Sequence, residues 1–197
     1  VYLLMQPIGP FLHEGWTENL YRIGLLEHFW EYISYTPLKP PLFSILHAGA
    51  LHFAHLIGVT ESTAIGALAI TLNVAVAPLI YRTSINFKAN KVLSALMSIL
   101  ASLSLLPLIS SSLNYDLPAY FFMSLFIFSV SQVYRFQETR SFISLSLASG
   151  LLIAQSTVQI VTVPLVVLII AVTLATRENI RALIKKFLMI SVFPALV

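Results

Sequence analysis

Long apolar runs separated by short polar segments dominate the chain after residue 60. Six helical spans are predicted, near residues 62–81, 92–113, 117–134, 141–155, 158–176 and 187–197. The first three approach the roughly 20 residues that an α-helix needs to cross a bilayer. The uncharged stretch 141–176 is too long for one span, so we divide it at the polar segment QSTVQ into a hairpin of two shorter helices.

The apolar segment at residues 42–57 has a different pattern, because it carries three histidines. At 100° per residue, Ser44, His47, His52 and His55 fall within one arc of about 140°, and large apolar side chains fill the opposite arc. A span surrounded by lipid is apolar on all sides, so a polar stripe favours a helix that lies in the membrane interface or faces a cavity. We therefore predict an interfacial helix with its histidines on the wet side.

The histidines could alternatively bind a metal ion. His52 and His55 lie three positions apart, as metal ligands often do on a helix. The same element contains no carboxylate to complete a ligand set. No metal site is therefore predicted on this helix.

The composition supports a membrane protein. The 197 residues are 58% hydrophobic and 10% charged, whereas a soluble domain has about 25% charged residues. The predicted fold class is an all-α polytopic transmembrane bundle of about six spans, residues 61–197, which follows an outer-face segment, residues 1–60. The chain contains no cysteine, which excludes disulfides, cysteine–zinc sites and thiol catalysis. A net charge of only +3 indicates no nucleic-acid partner.

The positions of the basic residues predict which loops of the chain face the cytoplasm. Nine of the 11 Lys and Arg residues fall in alternate loops: Arg82, Lys88, Lys91, Arg135, Arg140, Arg177, Arg181, Lys185 and Lys186. The positive-inside rule makes these loops cytoplasmic. If helix 42–57 does not cross the membrane, residues 10–60 lie on the outer face together with Asp116. The chain begins with valine and ends within an apolar run, so we expect further sequence on both sides.

Three short motifs occur in a recognisable order. HEGWTENLYR occupies residues 13–22, KPPL follows at 39–42, and SSSLNYDLPAYFF lies at 110–122. The ordered set resembles the GT-C glycosyltransferases, and among them the family of protein O-mannosyltransferases and lipid A aminoarabinose transferases (glycosyltransferase family 39). The likeness runs through most of the chain but covers only the amino-terminal part of such an enzyme.

The resemblance implies transfer of a sugar from a polyprenyl phosphate carrier to an acceptor at the outer membrane face. It sets His13 and Glu14 at the position of the family's Asp-Glu pair, and Arg22 at its arginine. Lys39 opens the family's closing Lys-Pro-Pro-Leu motif, and Asp116 is the carboxylate of its second acidic site. The expected partners are membrane lipid, the polyprenyl-linked sugar and an acceptor of unknown identity.

The chemistry of this transfer suggests roles for the matching residues. A base must activate the acceptor, and Glu14 or His13 could serve; Glu14 could instead bind a divalent ion. Lys39 or Arg22 would neutralise the departing phosphate.

Asp116 would position the acceptor, or it could cap the helix that begins at Leu117 and Pro118. Because His13 stands where the family has aspartate, the alternative is a catalytically silent subunit of a larger membrane complex.

Overall fold

A computed structural model of the protein describes residues 27, 41–105, 116–155, 163–164, 166–167 and 190. Within this part of the chain all regular structure is helical, so the all-α prediction is confirmed there. Five helices have full bounds: α1 Pro41–Ile57, α2 Glu61–Asn86, α3 Lys91–Leu105, α4 Asp116–Phe136 and α5 Thr139–Gln155. Most of the predicted spans 158–176 and 187–197 lies outside the described residues.

The helices begin close to the predicted positions and extend further into the polar segments. α2 begins one residue before the predicted span, where the Oγ1 of Thr60 accepts a hydrogen bond from the amide of Thr63 at 3.2 Å. It continues past the predicted end at residue 81 to Asn86. Arg82 therefore lies inside the helix, because an exposed cation near the end of an apolar helix reaches solvent without ending the backbone hydrogen bonding.

Two of the described helices, α2 and α4, are long and apolar enough to cross a membrane, as judged by length and composition. α2 has 26 residues and α4 has 21, which correspond to about 39 Å and about 32 Å of helix. α1 and α3 are apolar but shorter. The described residues thus support two of the six predicted spans.

α3 has an inverted distribution of polar and apolar side chains. Ser94 and Ser98 are 0% and 8% exposed. Seven large apolar side chains of the same helix are exposed: Val92, Leu93, Leu96, Met97, Ile99, Leu100 and Leu103. A helix that faces water has the opposite distribution, whereas helices in lipid place small and polar residues at their contacts with one another.

The contact between α2 and α3 is made by those small polar residues. The Oγ of Ser98 donates to the carbonyl of Ala77 at 2.7 Å. The buried amide of Asn73 donates to the carbonyl of Ser102 at 3.2 Å. Hydrogen bonds between helices are worth about 0.6 kcal/mol each in a membrane, so these two contacts add modest stability and fix the register of the pair.

α2 and α4 run in the same direction. Leu117, near the start of α4, belongs to a buried cluster with Ala69 and Leu72, whereas Ser131 in the last part of α4 accepts a hydrogen bond from Asn86 at the end of α2. The loops that follow these helices, 87–90 and 137–138, therefore lie at the same end of the bundle.

We call this the basic end, defined by five cations: Arg82, Lys88, Lys91, Arg135 and Arg140. Two segments that are separate in sequence contribute these cations. If all basic loops lie on one side of the membrane, as predicted, these two segments must lie at the same end of the bundle, as they do.

α1 corrects one expectation. His52 and His55 are exposed as predicted, but Ser44 is only 2% exposed and His47 is half-buried. The side that carries Ser44 is buried because it is lined by small residues, among them Ala48 and Ala54, which let neighbouring helices approach closely. The polar stripe is therefore in part a contact surface between helices.

The opposite side of α1 remains apolar and exposed. Ile45, Phe53 and Leu56 lie there, and Leu56 is 82% exposed. This side follows the predicted arc of large apolar residues. α1 thus presents an apolar surface outward while its small residues face the bundle.

Candidate functional site

At the end of the bundle opposite the basic end, the first turns of α2 contact both α1 and the start of α4. α1 contributes Ala48 and Leu51 to a buried cluster in which α2 supplies Ile65 and Leu68, both from its first turns. Leu68 also packs against the cluster that contains Leu117 of α4. We call this the acidic end, defined by Glu61 and Asp116, which begin the two parallel helices.

Asp116 is the predicted site residue that the structure describes. It is the first residue of α4, and its side chain is exposed. Leu117 and Pro118 directly after it are fully buried, so the backbone that carries the carboxylate is held in place. A negative charge at the first turn is also favoured by the helix dipole, by about 0.3–1 kcal/mol. The geometry fits a carboxylate presented to a ligand and equally the helix-start role considered above.

The other predicted site residues, His13, Glu14, Arg22 and Lys39, lie outside the described residues. The structure does describe the second half of the KPPL motif. Pro41 is the first residue of α1 and Leu42 the second. Proline is well suited to the first turn of a helix, because the amide that it lacks would have no partner there. The motif thus leads directly into the helix that lies at the acidic end.

A histidine–carboxylate pair at this end was missed by the sequence analysis. The Nε2 of His55 lies 3.1 Å from the Oε1 of Glu61. Gly58, with φ of 71°, turns the chain between α1 and α2 and brings the two side chains together. The carboxylate does not belong to the helix that carries the histidines; it is the first residue of the next helix. The sequence does contain one indication of this pair, because His55 and Glu61 are six residues apart with Gly58 between them.

The described residues contain no group of three or more His, Cys, Asp or Glu side chains that could hold a metal ion. Among the residues that the structure describes, His55 and Glu61 are therefore not part of a group of three such side chains. Glu14, for which a divalent ion was considered, lies outside the described residues.

At the basic end, polar side chains connect α2 to α4. The Nδ2 of the buried Asn86 donates to the Oγ of Ser131 at 2.9 Å. The Nη1 of Arg135 donates to the Oδ1 of Asn86 at 3.2 Å and to the carbonyl of Ile85 at 3.4 Å. No local pattern in the sequence predicts this network, because its members lie in helices that are not consecutive.

No family model, curated protein or solved structure matches this chain. The candidate site at the acidic end therefore depends on the three ordered motifs and on the geometry around α1 and Asp116.

Proposed function

We propose that the chain is part of the membrane module of a glycosyltransferase that moves a sugar from a polyprenyl phosphate to an acceptor at the outer membrane face. One observation carries the proposal. The helix that begins within the KPPL motif and the helix that begins with Asp116 lie at the same end of the bundle. Both helices pack against the first turns of α2, which supports one shared site for two motifs that are distant in sequence.

The proposed division of labour follows from the reaction. Glu14, or His13 in its place, removes the proton from the acceptor hydroxyl. Lys39 and Arg22 stabilise the negative charge that develops on the departing phosphate. Asp116 holds the acceptor in line with the anomeric carbon, which lowers the entropic part of the barrier. A divalent ion, if one is used, would bind to Glu14.

The membrane placement in this proposal is a bundle of about six spans with the acidic end outside and the basic end in the cytoplasm. The buried serines and exposed apolar side chains of α3 support a lipid environment. The cluster between α1 and α2 draws on the first turns of α2, which supports a helix lying across the end of the bundle. The exposed apolar side of α1 would then enter the lipid interface.

Sugar transfer by purified protein tests the proposal. We expect Glu14→Gln, Lys39→Ala and Asp116→Asn each to lower kcat/KM with a polyprenyl phosphate sugar, and a lost general base to cost on the order of 10²- to 10⁴-fold. Glu61→Gln is the matched control, because Glu61 is a carboxylate in the first turn of the parallel helix at the same end. Full activity of all three variants would refute the site assignment.

A tag inserted between Glu31 and Pro37 tests the topology separately. We expect the tag to be accessible from the outer face, because α1 does not cross the membrane in this proposal and residues 10–60 therefore stay on that side. A tag that is accessible only from the cytoplasm would refute the interfacial placement of α1.

A second candidate is a catalytically silent GT-C-like subunit of a larger membrane complex. His13 favours this candidate, because it stands where the resemblance places the family's aspartate. Restoring the family residue with His13→Asp separates the two. The silent subunit predicts no transfer by the intact protein and a gain of transfer, if any, only in this variant.

A further inference from the structure

The basic end contains a cavity of about 490 Å³. It is lined by the last residues of α2, the loop after it and the end of α4: Ile85, Asn86, Lys88, Tyr134 and Arg135. Pockets that bind small ligands are commonly about 300–1,000 Å³ in volume. Two cations, a phenol and a carboxamide therefore surround a space large enough for a small polar ligand.

Arg135 is held in place by the network that joins α2 to α4. Both of its hydrogen bonds, to Asn86 and to the carbonyl of Ile85, start from Nη1. Its guanidinium carbon also lies 5.1 Å from the centre of the Phe136 ring. A guanidinium has five N–H donors, so in the described contacts Nη2 and Nε are left to bind a ligand.

Lys88 is positioned by a backbone conformation that few residues adopt. Its φ of 66° is in the left-handed region, and its amide donates to the carbonyl of Ile85 at 3.0 Å. The next amide, of Ala89, donates to the carbonyl of Ser84 at 3.0 Å. The loop is thus attached to the last turn of α2. Within the described residues, no carboxylate forms an ion pair with Lys88 or Arg135.

One aromatic side chain, Tyr134, lines the cavity, and two others, Phe87 and Phe136, contact the lining residues Tyr134 and Arg135. Phe87, Tyr134 and Phe136 are all about half exposed, and the rings of Phe87 and Tyr134 lie 5.7 Å apart. Tyrosine and other aromatic residues with one polar and one apolar side are enriched where membrane meets water, at the level of the lipid headgroups. The aromatic residues therefore favour a position of the cavity at the headgroup level.

We propose that this cavity binds the phosphate of an anionic lipid headgroup. Arg135 offers paired donors to phosphate oxygens, and Lys88 adds a second positive charge. The nearby rings would contact the glycerol and the upper acyl chains. The proposal depends on membrane placement, but it requires neither the predicted transferase activity nor any residue at the acidic end.

Binding of short-chain lipids to the intact protein in nonionic detergent tests the proposal. Native mass spectrometry gives the bound fraction during titration with dihexanoyl-phosphatidylglycerol, with dihexanoyl-phosphatidylcholine and with inorganic phosphate. Each membrane-proximal cation is worth about 1 kcal/mol toward anionic lipid. We therefore expect Lys88→Asn and Arg135→Gln each to weaken phosphatidylglycerol binding about fivefold.

The variants are chosen to separate binding from folding. Asparagine tolerates the left-handed backbone at position 88, so Lys88→Asn removes the charge without straining the loop. Arg140→Gln is the matched control, because Arg140 is an exposed cation at the same end that does not line the cavity. We expect this control to bind phosphatidylglycerol as the parent protein does.

Three results would overturn the proposal. If Arg140→Gln and Lys88→Asn weaken phosphatidylglycerol binding equally, the lipid is attracted by the overall surface charge and not by a specific site. Equal binding of phosphatidylcholine would show that the anionic character of the lipid is not recognised. Displacement of phosphatidylglycerol by an equal concentration of inorganic phosphate would assign the cavity to soluble phosphate.

Discussion

The two ends of the bundle use polar side chains differently. At the basic end, Asn86 is buried and forms hydrogen bonds that join α2 to α4. At the acidic end, Asp116 is exposed, and His55 pairs with Glu61 across a turn between consecutive helices. Asn86 thus fastens two helices that are not consecutive, whereas His55 and Glu61 join consecutive helices and Asp116 is exposed to solvent.

This difference suggests a division between stability and function. A buried hydrogen-bonded side chain is costly to remove, because its partners lose their bonds without gaining water. An exposed carboxylate at a helix start adds about 0.3–1 kcal/mol through the helix dipole, and a ligand can reach it from solvent. We therefore expect substitutions at the basic end to affect mainly unfolding and those at Asp116 to affect mainly sugar transfer.

The largest expected effect is that of Asp116→Asn on transfer. If Asp116 holds the acceptor, kcat/KM falls on the order of 100-fold, the size of loss that misplacing a reactant by about 1 Å can cause. The unfolding free energy falls by only about 0.3–1 kcal/mol, since asparagine lacks the negative charge that the helix dipole favours in the first turn. Parallel transfer assays and detergent unfolding curves measure both. If Asp116→Asn lowers the unfolding free energy but leaves sugar transfer unchanged, Asp116 only stabilises the start of α4.

Asn86→Ala should give the opposite result. It removes the acceptor of Arg135 and the donor to Ser131, so we expect a loss of about 1–3 kcal/mol in unfolding free energy. Unfolding in detergent micelles measures it. Transfer per folded molecule should change little, because the acidic end is distant.

Ser131→Ala and the double variant complete a thermodynamic cycle for Asn86. The coupling between Asn86 and Ser131 should be about 0.6 kcal/mol, the average for hydrogen bonds between membrane helices. Ser131 keeps a second bond, since its Oγ also donates to the carbonyl of Phe128 at 2.6 Å. A coupling near zero would mean that this bond does not fasten α2 to α4.

The comparison also shows which features the sequence could predict. Long apolar runs located α2 and α4 to within a few residues, because helices that must bury or immerse apolar side chains have to be continuously apolar. Their ends were placed too early, at the first charged residue. Arg82 and Arg135 remain helical because long basic side chains extend away from an apolar helix without disturbing its backbone.

Contacts between helices could not be predicted in the same way. The polar stripe of α1 was assigned to water because serine and histidine are polar, but Ser44 is buried because it is small. The bond from Arg135 to Asn86 depends on the parallel arrangement of α2 and α4, which no local pattern encodes. At the candidate site, the Asp-x-Pro pattern correctly placed Asp116 at a helix start.

Helix caps at the two ends allow a matched comparison of smaller effects. Asn90 accepts a bond from the amide of Leu93 at 2.7 Å, and Thr60 accepts one from the amide of Thr63 at 3.2 Å. We expect Asn90→Ala to cost about 1 kcal/mol and Thr60→Ala about half of that, because the second bond is longer and threonine is a weaker cap. Detergent unfolding of both variants measures the difference. The reverse order would show that the acidic end contributes more to folding than its exposed side chains suggest.

The smallest expected effect is that of separating His55 from Glu61. The side chain of His55 is 60% exposed, and exposed ion pairs contribute about 0.2–1 kcal/mol. His55→Gln should therefore lower the unfolding free energy by less than about 0.5 kcal/mol, measured in detergent at pH 6 and pH 8. His52→Gln is the control, because His52 is an exposed histidine on the same helix. If His55→Gln, but not His52→Gln, lowers the unfolding free energy by more than about 1 kcal/mol, the turn at Gly58 contributes substantially to stability. The proposed difference in stability between the two ends would then be wrong.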